Sequence, residues 1–112
     1  MRDDVTAIVV TYNSGRVLPA CLNALTTNGI PALVVDNASA DSCPAIAARA
    51  GVPVIQTGKN LGYGRGNNIG ARAATTPYIL IANPDVIVTP GAVDTLIATA
   101  NADPDHALFA PK

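Results

Sequence analysis

Short apolar runs alternate along this chain with stretches whose apolar positions recur at helical spacing. Val5 to Thr11 is almost continuously apolar, which suits a strand buried on both faces. From about Arg16 to Thr27 the stripe Val17, Leu18, Cys21, Leu22, Leu25 predicts a helix. Pro19 fits only in its first turn, and Asn28-Gly29 ends it. Ala32 to Asp36 reads as a second strand, and the polar loop Asn37 to Asp41 follows it. A helix is expected from Pro44 to Ala50, with proline at its first position and Gly51 beyond its end. Val52 to Thr57 is the third strand. The segment GKNLGYGRGNNIGARAATT holds five glycines and divides into a loop, Gly58 to Gly62, and a weak helix reaching Ala74. Tyr78 to Ala82 is the fourth strand. Thr89 is expected to cap, and Pro90 to open, a helix through Val93, Leu96 and Ile97 to about Ala102. His106 to Ala110 begins a fifth strand.

Strands and helices alternating at this pitch predict βαβ units and a mostly parallel sheet covered on both faces. The fold class is α/β, a Rossmann-like three-layer sandwich of strand order 3-2-1-4, with a switch point between the first and fourth strands. Ligands of such sheets bind outside the carboxyl ends of the strands near that point. The strands are followed by Thr11-Tyr12-Asn13, Asp36-Asn37, Lys59-Asn60 and Asn83-Pro84-Asp85, all on one edge. The last interrupts ILIANPDVIV, seven of whose ten residues are aliphatic. Proline cannot donate to a ladder, and a carboxylate is rarely buried alone. Asp85 is therefore expected at the rim rather than inside a strand.

Length and composition fit one globular domain or a piece of one: 112 residues, 49% hydrophobic and 13% charged. A net charge of −1 without a Lys/Arg cluster argues against a nucleic-acid duplex or an anionic membrane as main partner. No apolar run is long enough to span a bilayer, and the start MRDDVTAIVV lacks the features of a signal peptide. A cytoplasmic location is expected, with Cys21 and Cys43 as reduced thiols. Cys43 stands near a helix start that could lower its pKa, although no catalytic partner accompanies it. His106 reads as structural or surface.

A dinucleotide site needs a glycine-rich turn after the first strand. TYNSG stands there, and NLGYGRGNNIG comes after the third strand without matching the fingerprint. No phosphate-loop motif exists. The series VVTYNSGRVLPACLNAL, VVDNASAD, NLGYGRGNNIGARAA and LIANPDV instead resembles, in order and spacing, the first half of inverting family 2 glycosyltransferases of the GT-A fold. Each motif is weak alone; the ordered set covers essentially the whole chain.

The resemblance implies that residues 1–112 are the donor-binding half of an enzyme that transfers a sugar from a dTDP- or UDP-sugar to a saccharide or lipid-linked acceptor. It implies that Thr11, Tyr12 and Asn13 line the nucleotide pocket and that Asp36 pairs with a pyrimidine. A carboxylate can accept the imide N–H of uracil or thymine, which cytosine lacks. Asp36 capping the following turn through Ser39 is the simpler reading of the same residue. Asn60 would orient the nucleotide, Arg65 would approach the diphosphate, and Gly62, Gly64 and Gly66 would serve turns and close packing. Asn83-Pro84-Asp85 occupies the place of the Asp-x-Asp motif, with Asp85 binding Mg²⁺ or Mn²⁺ and Asn83, in place of the first acid, counted among the nucleotide-binding residues; fewer charges imply a weaker metal site. This variant resembles that of dTDP-rhamnosyltransferases.

The resemblance also implies that the general base and the acceptor half lie beyond this chain, so that alone it binds donor without turnover. Asp94, Asp103 and Asp105 come too early for the base and read as helix-surface and turn residues. In the full-length enzyme the inner membrane face is a possible location. Exposed apolar surface makes a homo-oligomer plausible. The competing class is a nucleotide-sugar-binding module that never catalyses; a nucleotidyltransferase would need a basic glycine-rich loop where TYNSG stands.

Overall fold

The computed structural model describes residues 2–105. Its elements are β1 (Val5–Thr11), α1 (Leu18–Thr27), β2 (Ala32–Asp36), α2 (Cys43–Arg49), β3 (Val54–Gln56), α3 (Tyr63–Ala73), β4 (Tyr78–Ile81) and α4 (Ala92–Ala102). The four strands are parallel in the order β3-β2-β1-β4, as the sequence pattern predicts. The expected fifth strand and His106 lie outside the described residues.

Alternation along β1 sorts the layers. Val5, Ala7 and Val9 pack with Leu18, Cys21, Leu22 and Leu25 of α1, and with residues of α2 and α4. Ile8 and Val10 point the other way, with Val35 and Ile69, beneath α3. The sheet is thus covered on both faces, which is why its central strands carry no polar alternation. On the α3 face the contact is close. A Cβ on Gly70 would stand 2.4 Å from Ile8 Cγ2, and one on Gly66 would stand 2.8 Å from Val10 Cγ1. Glycine at these two positions is what lets helix backbone ride on β1.

Several boundaries move. Leu18 rather than Arg16 begins α1, with Pro19 inside its first turn. The third strand keeps only three residues: Val52 N–H turns back to Ala47 O of α2, and the last β2–β3 ladder bond is Thr57 N–H to Asp36 O. The start of α4 is a correction. Thr89 and Pro90 neither cap nor open it; Gly91 is the N-cap, at φ +82, with no side-chain cap. A left-handed φ suits glycine, so the turn through Pro90 and Gly91 delays the helix. Both cysteines are buried and unbridged.

Candidate functional site

The polar rim arises from register. Thr11 and Asp36 are partners in the β1–β2 ladder, so their side chains leave the sheet side by side on the α1 face. Thr11 Oγ1 donates to Asp36 Oδ1 at 2.6 Å, and Ser39 Oγ donates to the same oxygen at 2.6 Å. The Ser39 amide donates to Asp36 Oδ2 at 3.0 Å. Asp36 is only 2% exposed, and these donors are what a buried carboxylate requires. The turn-capping reading of Asp36 is met through Ser39, and the carboxylate stands at the end of β2.

The loops after β1 and β2 are laced together. Asn13, at φ +52, donates its amide to Ser39 Oγ at 2.9 Å and accepts from the Ala40 amide at Oδ1, 2.7 Å. Ala38 takes φ +62, a conformation that disfavours a Cβ. Asp41 accepts from the Gly15 amide at 2.8 Å and the Cys43 amide at 3.0 Å, and these donors hold its carboxyl below the usual range. Cys43 is no activated thiol: burial, reinforced by Asp41, pushes its pKa up despite the helix start.

On the α3 face Asn37 takes the role that sequence reasoning missed. It is buried; its Nδ2 donates to Gly62 O at 3.0 Å, and its Oδ1 accepts from Thr57 Oγ1 at 3.1 Å. It therefore pins the glycine-rich loop to the end of β2. The signal was present: a second polar residue directly after a buried strand. Asn60 bonds within its own loop, accepting from the Gly62 amide at 2.9 Å. Arg65 is exposed and makes no side-chain bond among the described residues.

β4 ends at Ile81, and Asn83 to Val86 forms a turn closed by Val86 N–H to Asn83 O at 3.0 Å. Pro84 supplies its fixed φ to that turn. Asp85 is exposed, with no hydrogen bond or ion pair among the described residues. Asn83 Oδ1 accepts from Tyr63 Oη at 2.6 Å, which joins the β4 exit to the first turn of α3. Tyr63 also escaped sequence reasoning. Asn67, one turn further along α3, has a buried Oδ1 without a hydrogen-bond partner.

Of the residues singled out, the structure bonds Thr11 to Asp36 directly and Asn13 to the same cluster through Ser39. Tyr12, next to Thr11 in the chain, is about half exposed. Asn83 is tied to α3 instead, and Asn60, Arg65 and Asp85 line the edge with exposed side chains. No group of three metal-ligating His, Cys, Asp or Glu side chains exists among the described residues. No helix there is long and apolar enough to cross a membrane.

A parallel sheet covered on both faces, with polar groups gathered at its carboxyl edge, defines a three-layer α/β protein, and ligands of such sheets bind at that edge. The profile of glycosyl transferase family 2 matches residues 6–111, and the chain belongs to that family. An uncharacterised glycosyltransferase of Mycobacterium bovis is 36% identical over 92% of this chain and 46% of its own length. The N-acetylglucosaminyl-diphospho-decaprenol L-rhamnosyltransferase of Mycobacterium tuberculosis is 32% identical over 99% of this chain and 41% of its own. The chain thus spans less than half the length of these relatives. In three dimensions it resembles glucosyl-3-phosphoglycerate synthase of Mycobacterium tuberculosis, solved with Mn²⁺, UDP and glucosyl-3-phosphoglycerate. The TM-score is 0.73 at 15% identity, over 85% of this chain and 38% of that one. The fold is that of GT-A glycosyltransferases.

Proposed function

We propose that residues 1–112 form the donor-binding half of an inverting glycosyltransferase and hold a pyrimidine nucleoside diphosphate-sugar at the carboxyl edge of the sheet. The observation that carries this reading is the Thr11–Asp36–Ser39 cluster. It presents an anchored, buried carboxylate at the carboxyl end of β2, one strand from the switch point, and an imide N–H can donate to the lone pair left on Oδ2. Tyr12 offers a ring beside it, and Arg65 offers an unpaired cation for the diphosphate. Thr11 acts through Asp36 rather than by contact, because its hydroxyl is buried and already committed.

Mg²⁺ or Mn²⁺ fits this edge through Asp85, an exposed hard oxygen ligand without a competing partner. A single carboxylate leaves the remaining positions to phosphate oxygens and water. When bound, such an ion neutralises charge developing on the leaving diphosphate. The acceptor hydroxyl attacks the anomeric carbon from the opposite side, and the base that takes its proton is assigned to the remaining length of the enzyme. Deoxythymidine diphosphate-linked rhamnose is the donor we put first. Asn83-Pro84-Asp85 and the similarity to the mycobacterial L-rhamnosyltransferase support it. A saccharide or lipid-linked acceptor is inferred from the same similarity.

Calorimetric titration of dTDP, UDP and GDP, each with Mg²⁺ and with chelator, tests the reading. Binding of dTDP or UDP, strengthened by Mg²⁺ and without a counterpart for GDP, is expected. Equal binding of GDP and dTDP would remove the role given to Asp36.

A further inference from the structure

Asn83 is held from three directions. Its main-chain oxygen closes the turn with the Val86 amide at 3.0 Å and accepts from Cys21 Sγ of α1 at 3.7 Å. Its side-chain oxygen accepts from Tyr63 Oη of α3 at 2.6 Å. Both oxygens of Asn83 are thus engaged, one by each layer of the sandwich.

What remains is a donor. A carboxamide has one acceptor end and one donor end, and anchoring Oδ1 turns the two Nδ2 hydrogens away from α3. Asn83 is itself exposed, so these hydrogens face solvent at the edge where Asp85 stands two residues on. A metal ion needs an oxygen lone pair, whereas an oxygen of a nucleotide needs a hydrogen. We propose that Tyr63 is a positioning residue: its hydroxyl fixes the Asn83 carboxamide so that Nδ2 donates to an oxygen of the bound nucleoside diphosphate. Asn83 then serves the ligand rather than the cation, and Asp85 is the ion's protein ligand at this turn. The inference rests on the nucleotide reading given above.

The chemistry explains the residue pair. An acid at position 83 could accept from Tyr63 but would have no hydrogen to give. A phenylalanine at position 63 would preserve the ring and release the carboxamide, free to rotate. The lost hydrogen bond is local, because Tyr63 is about half exposed and its ring supports no core cluster.

Tyr63→Phe, Asn83→Ala and the double variant are titrated with UDP and with uridine, and the ligand-free spectra of Tyr63→Phe and wild type are compared. Tyr63→Phe is expected to weaken UDP binding about three- to tenfold, the range of one neutral hydrogen bond. In the Asn83→Ala background it should cost nothing further, which a structural role of the tyrosine would not produce. A loss confined to UDP assigns a phosphate oxygen as acceptor, and a loss shared with uridine assigns a ribose hydroxyl. In the ligand-free spectrum the Asn83 side-chain N–H pair should shift on Tyr63→Phe. Unchanged UDP affinity in Tyr63→Phe, an equal loss in both backgrounds, or an unmoved Asn83 amide pair would overturn the proposal alone. A wild type that binds neither UDP nor dTDP would overturn the nucleotide reading and this inference with it.

Discussion

Thr11 and Asp36 are ladder partners on adjacent parallel strands, and their side chains meet at 2.6 Å with Asp36 almost wholly buried. Removing the hydroxyl while keeping the shape isolates that bond. Thr11→Val should destabilise the fold by about 1.5–3 kcal/mol, the range for a hydrogen bond to a charged group. Thr11→Ser should recover most of the loss. Urea unfolding of both variants checks this, and a Thr11→Val as stable as wild type would mean that Ser39 alone suffices.

The glycines of α3 are not equivalent. Gly70→Ala would place a methyl 2.4 Å from Ile8 Cγ2 and 3.1 Å from Val35 Cγ2. Overpacking of this kind should cost about 1–3 kcal/mol. Gly64→Ala meets open space, and restricting the unfolded chain should stabilise by about 0.4–1 kcal/mol. Opposite shifts of the unfolding midpoint are the expected result.

Asp85 contributes no bond among the described residues, so Asp85→Asn should leave the ligand-free melting temperature unchanged while abolishing the Mg²⁺-dependent increment in nucleotide binding. Asn83→Asp should steepen the dependence: binding weaker with chelator, and recovered with Mn²⁺ or Mg²⁺. Melts and titrations of both variants, with metal and with chelator, separate this from a capping role. A capping role would lower the melt and spare the metal effect.

Asp41 makes a prediction in pH. The Gly15 and Cys43 amides lower its pKa in the fold. Its stabilising contribution is therefore complete above the unfolded value of about 3.9 and is lost as pH falls from there through the lower folded value. Asp4, held down by Arg2, acts in the same window. Asp41→Asn should lower the neutral plateau of a stability–pH curve and flatten its acid limb, leaving the slope of the neutral-to-alkaline part unchanged. A limb of unchanged steepness would assign acid sensitivity to other carboxylates.

Strand order and layer assignment were legible because β1 and β2 are apolar on both faces and the helical stripes are regular. Boundaries were less so where a special backbone conformation overrides propensity. Thr89-Pro90 has the composition of a helix start, yet a left-handed Gly91 takes the cap. At the site, Asp36, Asn13 and Asp85 could be placed from their positions at or just past the ends of strands. Asn37 was equally visible just past β2, but its bond to Gly62, like that of Tyr63 to Asn83, was not, because those partners lie 25 and 20 residues away in sequence. Ser39 was visible as a turn partner of Asp36, but its bond to Asn13 depends on how two loops meet in space.

β1 is flanked by hydrogen-bonded strands on both edges and covered on both faces. Its amides should therefore surrender deuterium protection only when the whole domain unfolds, whereas those of Tyr12 to Gly15 and Gly58 to Gly62 should exchange through small local openings. Exchange would then separate a nearly invariant frame from a responsive edge. Occupancy of that edge would register as slowed exchange in the loops, with Val9 and Val10 as the internal standard.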